Sequence, residues 1–198
     1  MLLPSYSGHM LEAGCDEAGR GCLAGPVFAA AVILPGGFSN ELLNDSKKLT
    51  PHQRDSLRAI IQEQAMAWAV EMVDNEKIDE VNILNASILA MHQALDQLTV
   101  RPELILVDGN RFHAYAGVKH ICIVKGDGKY QSIAAASVLA KTWRDEYMKG
   151  ISSEYPEYGW NANKGYPTVF HRYAIREFGI SRYHRKSFRM GDQLRITF

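Results

Sequence analysis

Cysteine is scarce in this sequence, with three residues in 198, at Cys15, Cys22 and Cys122. No two of them form a Cys-x-x-Cys pair, and an odd number cannot make a complete disulfide framework. A finger-type zinc site needs four ligands at close spacing, which these three do not supply. We therefore expect a protein of a reducing compartment, without disulfide bonds or a structural zinc.

Long apolar runs are also missing. No run approaches the ~18 residues that a membrane-spanning helix requires. The opening MLLPSYSGHM lacks the basic start and long apolar stretch of a signal peptide, and there is no internal repeat. With 198 residues, 46% of them hydrophobic, the chain suits one domain with a full core. These features predict a cytoplasmic protein that does not enter a membrane, and we expect a monomer.

Neither sign of charge is in excess overall, because 22 Lys and Arg balance 22 Asp and Glu. The distribution is uneven, however. Residues 1–140 hold 11 basic and 16 acidic side chains, whereas residues 141–198 hold 11 basic and 6 acidic ones. A basic flank beside an acidic cleft suits a polyanion handled by metal-bound carboxylates. Chance clustering on a solvated surface would give the same counts.

Short apolar runs alternate with helical patterns, beginning strand–strand–helix–strand. This order predicts an α/β layer fold with a mixed sheet flanked by helices. After residue 150 the chain turns aromatic, then basic, which predicts a small C-terminal helical appendage over 151–198 beside a main domain over 1–150. The predicted strands are 11–16, 27–34, 65–73, 104–107 and 120–124, and the predicted helices are 51–64, 76–98, 132–148 and 169–178.

Asp16 and Glu17 end the first apolar run, and a loop with Gly19, Arg20 and Gly21 follows. Adjacent carboxylates repel each other unless a cation lies beside them. Neighbouring strand residues point to opposite faces, but both acids can still serve one cleft if the strand ends or bulges here. Glycines let backbone amides approach a bulky anion, which favours phosphodiester chemistry. Alone, the segment would also fit a solvated acidic turn.

Asp108 and Asp127 repeat this pattern, because each follows a short strand-like run and meets glycine. Carboxylates that converge from separate strand ends can hold two Mg²⁺ ions roughly 4 Å apart. Oxygen ligands without a Cys and His set favour Mg²⁺ or Mn²⁺ over Zn²⁺. Asp-Gly is also ordinary turn chemistry, so each position is weak evidence by itself.

A set of short motifs occurs along the chain in the following order: DEAGRG at 16–21, DSKKL at 45–49, VDGN at 107–110, KGD at 125–127, SIAAASVLAK at 132–141, NKGYPT at 163–168 and HRKSF at 184–188. In this order the motifs resemble the ribonuclease HII family, and the resemblance covers about residues 11–189. It implies a ribonuclease H-like fold and an endoribonuclease that cleaves the RNA strand of RNA–DNA hybrids. It also implies nicking on the 5′ side of single ribonucleotides in duplex DNA, which leaves 3′-hydroxyl and 5′-phosphate ends.

The resemblance assigns the catalytic, metal-binding acids to Asp16, Glu17, Asp108 and Asp127, with two Mg²⁺ or Mn²⁺ ions during catalysis. Asp145 competes for the fourth place. It lies 18 residues beyond Asp127, about five turns along a helix that leaves the cleft. Asp127 is therefore the preferred ligand, and we expect Asp145 to form a salt bridge on the helix surface.

The family's ribose-sensing loop corresponds to Gly19, Arg20 and Gly21, whose backbone can contact the 2′-hydroxyl that distinguishes RNA from DNA. Tyr166 corresponds to the tyrosine that stacks on the same sugar. The alternative for Tyr166 is a core aromatic residue in a Gly-Tyr-Pro turn. His171 and His184 receive no proton-transfer role, since structural or solvent-facing places are more common for them.

The resemblance also implies phosphate contacts from basic side chains. For at least one of the adjacent residues Lys47 and Lys48, a solvated surface position is the alternative. The expected contacts come from Lys47, Lys48 and Lys164 and from some of Arg182, Arg185 and Lys186.

The tail Gln193–Phe198 resembles the short peptide by which bacterial replication and repair proteins dock on the sliding clamp. An extended tail with apolar side chains suits a groove on such a partner. A disordered or packed tail is the alternative.

Two other functions compete with a hybrid endonuclease. One is a different ribonuclease H-like nuclease, such as a DNA exonuclease or ribonuclease HIII. The HIII type carries an N-terminal substrate-binding domain, for which the first acid at Asp16 leaves no room. The other is a non-catalytic hybrid-binding module, which leaves four acids near phosphate unexplained. A Walker ATPase does not fit, because Gly19–Gly25 lacks the Gly-Lys-Ser/Thr ending.

Overall fold

A five-stranded mixed sheet forms the centre of the molecule, in the strand order β3-β2-β1-β4-β5. The computed structural model describes residues 2–8, 10–44, 46 and 49–189. β1 pairs antiparallel with β2 and β2 with β3, whereas β4 and β5 run parallel to β1. The predicted mixed sheet is confirmed. Its strands are β1 (Glu12–Ala18), β2 (Val27–Ile33), β3 (Ala67–Val73), β4 (Leu104–Asp108) and β5 (Lys119–Ile123).

Helices cover both faces of this sheet, so all seven residues of β2 are buried. α3 packs on one face and the long α4 on the other. The helices are α1 (Pro51–Gln64), α2 (Asn75–Val81), α3 (Ile83–Asp96), α4 (Gln131–Ile151), α5 (Trp160–Asn163) and α6 (Val169–Phe178).

Gly14 of β1 lets the start of α4 lie directly against the sheet. A Cβ atom at this position would fall 2.2 Å from the backbone carbon of Ser132. No real Cβ contact is that short, so any side chain here would push α4 away from β1. The close approach sets the position of every later α4 side chain over the sheet.

The helix predicted over 76–98 is instead two helices, and the prediction of one continuous helix is wrong. Asn82 breaks it with φ 67° and ψ 163° and accepts hydrogen bonds from the backbone N–H groups of Leu84 and Asn85 at 3.0 and 3.1 Å. Asn tolerates positive φ better than most residues and caps helices well. The apolar periodicity hid the break, because α2 and α3 pack on the same core.

The chain after α4 packs against the loop that follows β1. Residues Leu23, Ala24, Met148 and Trp160, with others from α6, share a separate apolar cluster. Backbone hydrogen bonds also join the two segments, since Gly25 N–H donates to the Tyr183 carbonyl at 2.8 Å. The predicted boundary at residue 150 falls in the last turn of α4, and the division into two parts stays a prediction. Within the described ranges, no helix is long and apolar enough to cross a membrane.

Candidate active site

Four acids predicted from the sequence lie at neighbouring positions of the fold. Asp16 and Glu17 are in β1, Asp108 ends β4, and Asp127 lies in a 3₁₀ turn, Gly126–Gly128, after β5. β1 and β4 are parallel, with Cys15 opposite Val107. The next residues along the two strands are Asp16 and Asp108, which therefore lie side by side.

Asp16 is the most strongly perturbed of these acids. It is 4% exposed, and its pKa is raised well above the usual value by burial and then by the charges of Glu17 and Asp108. The Ser137 hydroxyl and the Glu17 N–H, which lies 2.7 Å from Oδ1, offset only part of this shift. A buried carboxylate between two others is a site that a cation would stabilise.

Glu17 lies in a regular part of β1, without the strand end or bulge that would turn it toward the same cleft as Asp16. β1 continues through Ala18 in regular register with β2, so the strand neither ends nor bulges at Asp16 and Glu17. The Glu17 carboxylate instead meets Arg20, with Oε1 3.2 Å from Nη1. The guanidinium of Arg20 is half-exposed, so the pair lies at the open edge of the acidic cluster.

The turn after β5 brings Gly126, the residue before Asp127, against Asp108. Gly126 N–H donates to Asp108 Oδ1 at 2.7 Å, and a Cβ at Gly126 would fall 2.6 Å from Ile133. Asp127 itself is 5% exposed. Among the residues that the structure describes, no group of three or more His, Cys, Asp and Glu meets metal-site geometry. The metal assignment thus rests on the donor chemistry and on the raised pKa of Asp16.

A buried arginine that the sequence did not reveal anchors the glycine loop. Arg144 is 1% exposed and donates to the carbonyls of Pro26, Lys164 and Ala24 at 3.0, 2.9 and 3.2 Å. Gly19 has φ +100°, and a Cβ there would fall 2.0 Å from Arg144 Nε. Only glycine permits this approach, which ties the loop to the segment that carries Tyr166.

Arg185 corrects a prediction. It was expected to contact phosphate, but it is 0% exposed. Its Nε donates to the Gly25 carbonyl at 2.9 Å and its Nη1 to the Arg20 carbonyl at 3.0 Å. Burial lowers its pKa to about 10. A side chain without exposed surface cannot reach a phosphate, so that prediction is wrong, and Arg185 supports the glycine loop from inside.

Tyr166 stands across from the glycine loop. Its side chain is 38% exposed, and the guanidinium carbon of Arg144 lies 5.9 Å from its ring centroid. Its hydroxyl hydrogen-bonds the buried thiol of Cys22, whose pKa is raised by burial. The tyrosine is therefore at the surface beside Gly19–Gly21, not inside the core.

The remaining predicted positions differ in accessibility. Lys164 is half-buried, its Nζ contacts the Asn161 carbonyl, and burial lowers its pKa. Lys186 is exposed, and Arg182 pairs with Glu154 at 2.5 Å. Lys47 and Lys48 and the tail Gln193–Phe198 lie outside the described residues.

Asp145 forms the expected salt bridge on α4, with Lys141. His171 and His184 are both fully buried, so of the two alternatives left open by the sequence they occupy the structural one. Ser137 was not singled out from the sequence, although it touches Asp16. Ser137 lies in the Ala-rich stretch of α4, where small residues indicate close packing but do not reveal a polar contact.

The family model and the curated relatives agree on one family. The model of the ribonuclease HII family matches residues 13–191. A ribonuclease HII of Phocaeicola vulgatus is 62% identical over 201 residues, which cover 100% of both chains.

Solved structures give the same result. The ribonuclease H2 of Pyrococcus horikoshii superposes with a TM-score of 0.75 at 26% identity, over 91% of this chain and 95% of the other. A ribonuclease HII from Archaeoglobus fulgidus, solved in complex with PCNA, gives a TM-score of 0.71 at 26% identity over 89% and 92%.

Proposed function

Since the chain belongs to the ribonuclease HII family, it is an endoribonuclease, and we propose that it acts on two kinds of substrate. It hydrolyses the RNA strand of RNA–DNA hybrids, and it nicks duplex DNA on the 5′ side of a single embedded ribonucleotide. Each cut leaves 3′-hydroxyl and 5′-phosphate ends. The observation that carries this proposal is the buried Asp16 between Glu17 and Asp108, beside a glycine loop faced by Tyr166.

The family depends on divalent metal, and we propose that Asp16, Glu17, Asp108 and Asp127 hold two Mg²⁺ or Mn²⁺ ions during catalysis. The fit is chemical, because the four donors are hard oxygens and Asp16 is destabilised by its acidic neighbours. When bound, such ions supply an activated water and stabilise the leaving oxygen. Ser137 orients Asp16, and Gly126 N–H orients Asp108 toward the shared space.

Recognition of the ribose falls to the loop of Gly19, Arg20 and Gly21 and to Tyr166. Arg185 donates to the Arg20 carbonyl of this loop, and Arg144 and Arg185 together bind the carbonyls of the residues that follow it, Ala24, Gly25 and Pro26, so the loop is restrained from the inside. A fixed backbone beside the acids can test one sugar for a 2′-hydroxyl without an entropic penalty on binding.

A groove of about 550 Å³ lies between α1 and α4, and Lys164, two residues before Tyr166 in the chain, is part of its lining. We propose that it accommodates the phosphate backbone of the bound duplex. The groove carries both basic and acidic side chains, and its basic side chains would bind phosphate in a salt-dependent manner. Its basic lining residues are Arg54, Arg58, Lys141, Lys149 and Lys164, and its acidic ones are Asp55, Asp145 and Glu146.

The test is a nicking assay on duplex DNA that contains one ribonucleotide, with Mg²⁺, with Mn²⁺ and with excess EDTA. We expect one nick 5′ of the ribonucleotide with either metal and none with EDTA. Absence of any metal-dependent nick would leave the protein as a hybrid-binding module. Equal cutting of an all-DNA duplex would instead indicate a general nuclease.

Tyr166→Ala should reduce kcat/KM on the single-ribonucleotide duplex about tenfold more than on a long hybrid, the effect of one contact of about 1.4 kcal/mol. A long hybrid offers many registers, so loss of one sugar contact matters less there. Tyr166→Phe keeps the ring and separates stacking from the hydroxyl contact. An equal loss on both substrates would remove the sugar-sensing role.

We propose that the tail Gln193–Phe198 binds the sliding clamp. The related ribonuclease HII from Archaeoglobus fulgidus was solved in complex with PCNA. Deletion of residues 193–198 should abolish clamp binding in a pull-down or by surface plasmon resonance, and should leave hydrolysis of a short duplex unchanged. The matched control replaces Arg195 and Thr197 by Ala and keeps the apolar positions. Unchanged clamp affinity after the deletion would exclude the tail.

A monomeric state, a cytoplasmic location and the phosphate contacts of Lys47, Lys48, Lys164 and Lys186 stay predictions. The lysine contacts can be ranked by the salt dependence of duplex binding, since each lost phosphate contact lowers the slope by about one.

A further inference from the structure

A line of hydrogen bonds through two buried histidines ends at the backbone carbonyl of Tyr166. Ser181 N–H lies 2.9 Å from His184 Nδ1, and His184 Nε2 lies 3.2 Å from His171 Nε2. Trp160 Nε1 also reaches His171 Nε2, at 3.0 Å. His171 Nδ1 lies 2.9 Å from the Tyr166 carbonyl oxygen.

The direction of each bond follows from donors that cannot act otherwise. A backbone N–H only donates, so His184 Nδ1 is an acceptor and its proton is on Nε2. The indole N–H of Trp160 also only donates, so His171 Nε2 is an acceptor as well. The proton of His171 is therefore on Nδ1, and it points at the Tyr166 carbonyl.

Both rings are neutral in this arrangement. Burial lowers the pKa of both histidines, that of His184 to about 4. A second proton on His171 would meet the N–H groups of Trp160 and His184. The tautomer of His171 is thus fixed by two partners that never contact the tyrosine themselves.

The Tyr166 carbonyl links the His171 ring to the segment that carries Tyr166. Lys164 and Gly165 both have positive φ, at +52° and +82°, so the chain turns sharply just before the tyrosine. The same carbonyl accepts from Thr168 N–H at 2.8 Å, at the start of α6. The peptide plane after Tyr166 is therefore held by two donors, one of them His171.

We propose that His171, with its tautomer set by His184 and Trp160, is a positioning residue that aims Tyr166 at the ribose of an embedded ribonucleotide. The proposal rests on the sugar-sensing role of Tyr166 proposed above. His171 acts through the peptide group of Tyr166 and touches neither the substrate nor the acids. Its effect is on the choice between substrates and not on the cleavage step.

Two substitutions at His171 separate this role from simple packing. Asn places an amide N–H near the position of Nδ1, so His171→Asn keeps a donor for the Tyr166 carbonyl. Gln places its amide near Nε2, so His171→Gln keeps a partner for Trp160 and His184 but loses the donor to Tyr166. His52→Gln, on the exposed side of α1, is the matched control for the substitution itself.

The readout is the ratio of kcat/KM on the single-ribonucleotide duplex to that on a long hybrid. We expect His171→Gln to lower this ratio about tenfold or more, the scale that a small displacement of a positioned group produces. His171→Asn and His52→Gln should keep the ratio, whatever the loss in thermal stability of the Asn variant. An unchanged ratio in His171→Gln, or an equal drop in both His171 variants, would overturn the proposal.

A double variant distinguishes this proposal from the one on which it rests. If His171 acts through Tyr166, His171→Gln combined with Tyr166→Ala should lower the ratio no further than Tyr166→Ala alone. A ratio that Tyr166→Ala leaves unchanged would instead contradict the sugar-sensing role. A ratio that falls in Tyr166→Ala but not in His171→Gln would overturn only the positioning role.

Discussion

Asp16→Asn should lower cleavage by more than about 100-fold, because even indirect partners of metal ligands are worth 10- to 100-fold when removed. An amide is nearly the same size as a carboxylate, so the change removes charge and leaves packing intact. Single-turnover rates on the ribonucleotide-containing duplex, with Mg²⁺ and with Mn²⁺, measure the loss. Retained turnover would contradict the metal role of Asp16.

The same variant should be more stable than the parent protein without metal, by about 1 kcal/mol or more, because it removes a buried charge that its acidic neighbours disfavour. Urea unfolding in EDTA measures the free energy of unfolding. Asp145→Asn is the matched control, since this acid is paired with Lys141 on the same helix as Ser137. Because the Asp145 charge is already paired, this variant should gain no stability.

Arg144→Met should destabilise the protein by about 3 kcal/mol, because backbone carbonyls lose a charged donor. Methionine fills much of the volume, but three buried carbonyls, of Ala24, Pro26 and Lys164, lose their donor. Each unsatisfied buried acceptor is unfavourable by about 1–3 kcal/mol. Thermal and urea unfolding with EDTA present measure the change without interference from metal binding.

Arg58→Met provides the control for this prediction. Arg58 pairs with the exposed Glu146 at 2.7 Å and stacks on Trp143, so its loss should change stability by less than about 1 kcal/mol. Arg144→Lys should recover little, because one ammonium cannot serve three carbonyls in a plane. Equal effects at Arg144 and Arg58 would show that the glycine loop does not depend on the buried guanidinium.

Periodicity predicted most elements, because most helices and strands here bury one continuous apolar face. It failed at Asn82, where two helices share a core and the apolar spacing runs through the break. It also ended β1 two residues early, at Asp16, since Glu17 is polar but still pairs with β2, as does Ala18. Backbone pairing, which a pattern of side chains does not report, decided that boundary.

The acids could be anticipated because Asp beside Gly at a strand end is a visible pattern. The supports of the site could not. Arg144 and Arg185 look like the surface arginines of any basic segment, and only the fold shows that their guanidinium groups are buried under the glycine loop. Ser137 is one small residue among alanines, and its contact with Asp16 follows from the register of α4 over β1.

The register of α4 over β1 depends on the absence of a side chain at Gly14. Because Gly14 has no side chain, the first turn of α4 is pressed onto the strand two residues before Asp16. Ser137 contacts Asp16 from a later turn of the same helix. A transplant of this candidate site into another scaffold would therefore have to copy the bare backbone contact together with the carboxylates, because the Ser137 hydroxyl would otherwise not reach Asp16.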